Sequence, residues 1–149
     1  MLNQILADLY ERDLEKLRAE IELFSDESNL WKTTGGITNS AGNLCQHLTG
    51  NLQHFFGAVL AESGYVRDRD AEFSARDTSK AELLADIDAA ELSVNDTLAK
   101  LSDKDLEKIY PIEVLDRPMT TAKFLLHLST HFNYHLGQIN YHRRLLATA

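Results

Sequence analysis

Four of the six histidines of this 149-residue chain fall in one stretch, Thr120 to Leu146: His127, His131, His135 and His142. On a helix, side chains four residues apart lie roughly 5–6 Å apart on neighbouring turns. His131 and His135 therefore form an adjacent pair in the middle of the face made by Phe124, Leu128, Ile139 and Leu146, with His127 on its polar edge. The other two, His47 and His54, stand seven residues apart at the edge of a second face, formed by Leu44, Leu48, Phe55 and Val59. Imidazoles aimed into an apolar face are either satisfied by buried hydrogen bonds or given a metal ion. An His-x-x-x-His pair joined by one imidazole from a facing helix makes three nitrogen ligands and leaves a position for water, which is an open, catalytic-type site. Neutral imidazoles suit zinc, nickel, iron or copper. The competing reading makes the same residues core or edge histidines bonded to Asn43, Asn51, Gln138 or backbone groups. For His54, His127 and His142 taken singly, a surface or hydrogen-bonded histidine is the preferred reading.

Several other chemistries are excluded. There is no His-Glu-x-x-His, and the last helix carries no carboxylate for the Glu-x-x-His pair of di-iron bundles. No Gly-rich phosphate loop occurs. Ser129 and Thr130 lie near His131 but have no orienting acid close in sequence. Cys45, the single cysteine, rules out an intrachain disulfide and a thiolate-built zinc site. It falls on a different side of its helix from His47 and reads as a buried structural thiol. The run Arg67-Asp68-Arg69-Asp70 reads as a self-paired, solvated loop, with an anion-holding lip as its alternative.

The elements that must position the histidines are helices. Leu2, Ile5, Leu6, Leu9, Leu17, Ile21 and Phe24 recur at helical spacing and predict a first helix over Leu2 to Phe24. Trp31 to Thr38 reads as a loop. Asn39 or Ser40 caps a second helix running to about Ser63-Gly64, with Gly64 as its C′ residue. Tyr65 to Asp77 reads as an ordered connection. Thr78 or Ser79 caps a third helix, Ser79-x-x-Glu82 being a capping box, with Leu83, Ile87, Ala90, Val94, Leu98 and Leu101 as its buried stripe. Ser102 to Lys108 has room for one helical turn. Ile109 to Pro118 holds both prolines and reads as an extended crossing before the fourth helix, capped by Thr120 or Thr121. With no strand-period run among them, these segments predict an all-α, antiparallel four-helix bundle forming a single domain over 1–149.

Charge separates the helices. The first and third are laced with it, whereas Thr33 to Ala61 carries none and Pro118 to Ala149 has no acid. The second and fourth helices are therefore expected to be covered, lining a site, a subunit interface or both. A membrane span is excluded because Asn43, Gln46, His47, Asn51, Gln53 and His54 would be very costly in lipid. The net charge of −8 and the lack of a clustered basic surface exclude nucleic acid as partner. With no basic-then-apolar leader at Met1 and a single thiol, the cytoplasm is the expected compartment.

The chain also resembles the DinB-like metal-binding bundles of bacteria. The matching residues are Asn39-Ser40-x-x-Asn43-Leu44-x-x-His47-Leu48-x-Gly50-Asn51-Leu52, then Arg67-Asp68-Arg69-x-x-Glu72-Phe73, and, most specifically, His131-Phe132-x-Tyr134-His135-x-Gly137-Gln138-Ile139. The resemblance implies that His47, His131 and His135 are the metal ligands, with zinc or nickel as the metal. It further implies a homodimer and kinship with S-transferases and isomerases that use a low-molecular-weight thiol such as bacillithiol, mycothiol or glutathione.

Three functions follow as expectations. The first is a metal-dependent transferase in which the open position takes a cofactor thiol as thiolate. The second is a hydrolase using metal-bound water, with Asp68, Asp70 or Glu72 as a base. The third is a non-catalytic metal- or small-molecule-binding stress protein. A thiol enzyme is expected to have a positively lined cavity beside the metal, whereas in a binding protein a fourth ligand such as His127 or His54 could close the site. The homodimer is expected to use a small-residue surface carrying Gly42, Gly50, Gly57, Ala58 and Ala61, together with the fourth helix.

Overall fold

The computed structural model describes residues 1–147, so the last two positions of the expected 1–149 domain lie outside the described residues. Its helices are α1 (Leu2–Glu22), α2 (Ala41–Leu52, continued by a π-helical segment, Gln53–Leu60), α3 (Arg69–Ser74), α4 (Lys80–Lys100), α5 (Asp103–Glu107) and α6 (Thr121–Ala147). The four long ones form the bundle, in which α1 packs on α4 and α6, and α2 on the same two. A single core runs through it. α1 contributes Leu6, Tyr10, Leu14, Leu17 and Ile21, α4 contributes Leu83, Ile87, Ala90 and Val94, and α6 contributes Phe124, Leu128, Phe132 and Ile139, all at helical spacing.

Cross-contacts fix the directions. The Met1 ammonium meets Asp103 and the Lys80 ammonium meets the carbonyl of Phe24, so α1 and α4 are antiparallel. His47 lies against His131 and Phe55 against Phe124, which makes α2 and α6 antiparallel as well. By contrast, Thr78 bonds Gln46 and Thr97 bonds the Phe56 carbonyl, so α2 and α4 run parallel. Parallel neighbours need a long return crossing. That crossing, residues 61–79, carries α3 back past the side of α2.

Most local signals hold. Ser79 and Glu82 form the capping box of α4, Ser40 caps α2, and Ser102 caps the short α5. Others need correction. One 3₁₀ turn, Glu27–Trp31, stands between the expected end of the first helix at Phe24 and the expected loop, and the expected connection at 65–77 contains α3. α2 stops at Leu60, and the left-handed residue just past its C-cap Ala61 is Glu62 (φ 51°), with Gly64 (φ 81°) two residues later. The π-helical segment loosens the regular hydrogen-bond ladder. Two side chains donate to carbonyls there, Tyr110 Oη–H to Phe55 (2.7 Å) and Thr97 Oγ1–H to Phe56 (3.2 Å). Among the described residues no helix is long and apolar enough to cross a membrane.

The glycines of α2 face their own chain. A Cβ on Gly42 would lie 2.6 Å from the Trp31 ring, one on Gly50 2.1 Å from the Glu72 carboxylate, and one on Gly57 3.1 Å from Ser63. They permit close packing within the subunit, while of the other small residues expected on that surface Ala58 is half-buried and Ala61 exposed.

Candidate metal centre

α2 and α6 cross where His47 meets the His131/His135 pair, and one ring nitrogen from each of the three lies within 4.8 Å of the others. His47 is buried, while His131 and His135 are half-buried. Their ring centroids are separated by 5.0 Å (47–131), 5.3 Å (47–135) and 4.6 Å (131–135). Phe73 of α3 covers the other side of His47, 4.7 Å between centroids.

The surrounding residues orient the rings. Glu72 accepts through Oε1 from His47 Nδ1 at 3.0 Å. A carboxylate can only accept, so the His47 proton sits on Nδ1 and Nε2 presents its lone pair. Gln138 Oε1 likewise lies 2.7 Å from His135 Nδ1 and holds a proton there, freeing His135 Nε2. His47 Nε2 faces His131 Nε2 at 3.1 Å. Two imidazole lone pairs at that distance need a proton or a cation between them. His131 Nδ1 is buried with no hydrogen-bond partner, so nothing in the chain fixes the His131 proton on that far nitrogen. Tetrahedral zinc with Zn–N of about 2.0–2.1 Å sets its nitrogens about 3.3–3.4 Å apart, close to the His47–His131 spacing. The donor set therefore fits a divalent ion.

Electrostatics favour neutral ligands. Burial, reinforced by His135, His47, His127 and Arg67, pushes the His131 pKa down to about 4. Burial also lowers His135, only partly offset by Gln138. For Glu72, burial acts upward, but the hydrogen bonds from His47 and Arg67 outweigh it and hold the carboxyl below its ordinary range.

Glu72 is itself braced. Arg67 grips it with two bonds, Nε to Oε2 (2.8 Å) and Nη2 to Oε1 (2.9 Å), and the guanidinium lies over Phe55 at 5.6 Å. Asp68 caps α3 by accepting from Ala71 N. Asn43 and Gln46 of α2 both donate to the Glu72 and Ala75 carbonyls, pinning the C-terminal end of α3 to α2. The Arg67–Asp70 run is thus not self-paired as expected. Its first arginine serves the carboxylate behind His47, a role visible beforehand only as the Arg67…Glu72 part of the DinB-like pattern.

The remaining histidines lie outside the cluster. His54 stands two helical turns, roughly 10.5 Å, along α2 from His47, and His127 is exposed. Neither closes the site as a fourth ligand in the described residues. His142 is neither at the surface nor hydrogen-bonded, contrary to expectation: it is 3% exposed, and both ring nitrogens lack partners. Cys45 is fully buried, and burial raises its pKa, as suits a structural thiol. The positively lined cavity expected for a thiol enzyme is not the one bordering His135, whose wall contains no lysine or arginine.

Residues 6–149 match a family model described as "Protein of unknown function (DUF1572)". No curated protein matches the chain. The crystal structure of a DinB-like protein from Bacillus cereus ATCC 10987 superposes with a TM-score of 0.71 at 20% identity, covering 95% of this chain and 91% of that one. The likeness shows a shared DinB-like, all-helical fold.

Proposed function

This chain belongs to the DUF1572 family of proteins of unknown function, and since no activity comes with that membership, we propose from the site itself that His47, His131 and His135 hold one divalent metal ion, zinc or nickel. The observation that carries the reading is the facing pair of Nε2 atoms, 3.1 Å apart, with Glu72 behind one ring and Gln138 anchoring the third. When bound, the ion supplies a positive charge beside an open position, which lowers the pKa of a thiol or a water held there. The chain's own residues fix the protons on His47 Nδ1 and His135 Nδ1, and Phe73 covers His47.

The nucleophile we propose is a low-molecular-weight thiol. Either nucleophile can lose its proton to solvent once the ion lowers its pKa, but hydrolysis gains further from a base, and Glu72 is committed to His47 and Arg67 while Asp68 caps α3. The thiol's sulfur, its proton lost to solvent, forms a bond to an electrophilic carbon, and the leaving group departs with the electron pair of the broken bond. The buried free Cys45 suits a reducing cytoplasm. The metal-loaded protein is expected to consume bacillithiol, mycothiol, glutathione or cysteine in the presence of an electrophile panel, faster than its His135→Ala variant does. Metal-dependent cleavage of esters or amides with no thiol consumption would replace the transferase with the hydrolase, and inactivity in both assays would leave a binding protein.

We further propose a homodimer built on the outer face of α6, where Leu126 and Tyr134 are exposed and no acid occurs. Gly137, on the same helix, has open space where a Cβ would stand. A mid-helix glycine costs about 1 kcal/mol relative to alanine, and packing within the subunit gives no reason for it, which fits close approach by a second copy. Light scattering at micromolar concentration is expected to give a dimer mass for the wild type and a monomer mass for Tyr134→Glu. A monomeric wild type removes the proposal.

A further inference from the structure

Beside the histidine cluster the chain forms a cavity of about 420 Å³, walled by the loop at residues 36–39, by Leu44 of α2 and by the α6 residues His135, Gln138 and His142. We propose that this cavity binds an uncharged, amphipathic organic molecule, with its apolar body against Ile37 and Leu44 and a hydrogen-bonding group at the His142 edge.

Three observations converge on it. No Asp, Glu, Lys or Arg lines the wall, so a charged ligand would lose its water without gaining a countercharge. The volume falls in the usual small-molecule range of about 300–1,000 Å³. His142, almost wholly buried, has two ring nitrogens with no partner in the protein. Buried polar groups are nearly always paired, and an orphaned one weakens the fold, so an imidazole kept in this wall suits a ligand better than it suits the core. A larger cleft of about 570 Å³, by Met1, Leu2 and Thr120, contains no histidine.

The position gives the cavity its use. Its wall includes His135 and the Gln138 amide that orients that ring, so an occupant lies directly beside the proposed metal ligands. The role of that occupant as the electrophile rests on the metal reading above. Its binding does not.

The test uses three probes with one skeleton: p-toluamide (neutral), p-toluate (anionic) and 4-methylbenzylammonium (cationic). Each is titrated into zinc-loaded and chelator-treated protein and followed by backbone amide NMR, with zinc affinity measured separately by calorimetry. In both forms p-toluamide is expected to shift the amides of residues 36–39 and 141–145, binding at least tenfold more tightly than either charged probe to the chelator-treated protein. His142→Phe, which keeps an aromatic ring in the wall, is expected to weaken p-toluamide at least threefold while leaving zinc affinity unchanged. Ile37→Trp, which fills the cavity from a surface loop, is expected to abolish the shifts. Equal or tighter binding of a charged probe at these residues without zinc, no shifts from p-toluamide, or an unchanged affinity in His142→Phe would each overturn the proposal. Failure to bind zinc with p-toluamide still bound would sink the metal reading and leave the cavity standing.

Discussion

His131→Ala is expected to lower the affinity for zinc or nickel by more than about 100-fold, a floor set by the 10–100-fold usually lost when only an outer partner of a metal ligand is removed. The same loss is expected for His47→Ala and His135→Ala. One ring nitrogen from each of the three lies within 4.8 Å of the others, and two ligands from one chain do not hold a divalent ion firmly in water. His54→Ala, His127→Ala and His142→Ala should leave affinity within about twofold, an expectation set by their positions outside the coordinating group. The measurement is competition against a chromophoric chelator, with elemental analysis of untagged protein. If the His131→Ala/His135→Ala double variant keeps full metal occupancy, the three imidazoles are ordinary hydrogen-bonded histidines and the centre does not exist.

The second large effect is at Glu72. Its side chain is 7% exposed, between His47 at 6% and Arg67 at 12%. Glu72→Ala leaves the guanidinium largely out of water with no carboxylate, a change that costs about 3–5 kcal/mol when one partner of a buried pair is deleted. It also frees the His47 ring, so metal affinity should fall about 10–100-fold. Gly50→Ala attacks the same carboxylate from the other side. The new Cβ would stand 2.1 Å from Oε2, which cannot retreat without disturbing the bond it accepts from Arg67 Nε. Overpacking of that kind costs about 1–3 kcal/mol, and metal affinity should drop with stability. Gly42→Ala is the control. It crowds the Trp31 ring at 2.6 Å, so it should lower stability and leave the metal alone. Urea unfolding of the metal-free variants, with parallel metal titrations, reads both quantities. An unchanged urea midpoint and unchanged affinity in Glu72→Ala would refute the bracing role.

These residues also mark what could be read in advance. The four-residue step from His131 to His135 and the capping box at Ser79–Glu82 are local signals, because helical geometry alone decides which side chains meet. The partner of His47 is not local. Glu72 lies 25 residues away, on a short helix whose place is set by amide bonds from Asn43 and Gln46 to two carbonyls, and no sequence period encodes those. The charges at 67–70 look solvated until that docking is known. The glycines of α2 announced close packing correctly, but their neighbours turned out to be Trp31, Glu72 and Ser63 of the same chain. The π-helical segment has no residue signature either. Its carbonyls are met by Tyr110 and Thr97, each more than forty residues downstream. His142 was hidden for the opposite reason: no local pattern predicts a buried ring that the fold leaves unpaired.

The crossing of α2 and α6 also sets an order of events during synthesis. His47 and His131 are 84 residues apart, and α6 is the last described helix to leave the ribosome. Until it does, a nascent chain offers only His47 of the three, and one imidazole makes a poor metal site. If the three imidazoles hold an ion, they do so together only once α6 has packed on α2, and the ion would then tie a late-made helix to one made early. Loop-closure entropy grows slowly with length, so the long separation costs little at equilibrium but delays assembly. Metal uptake would then report that α6 has docked on α2.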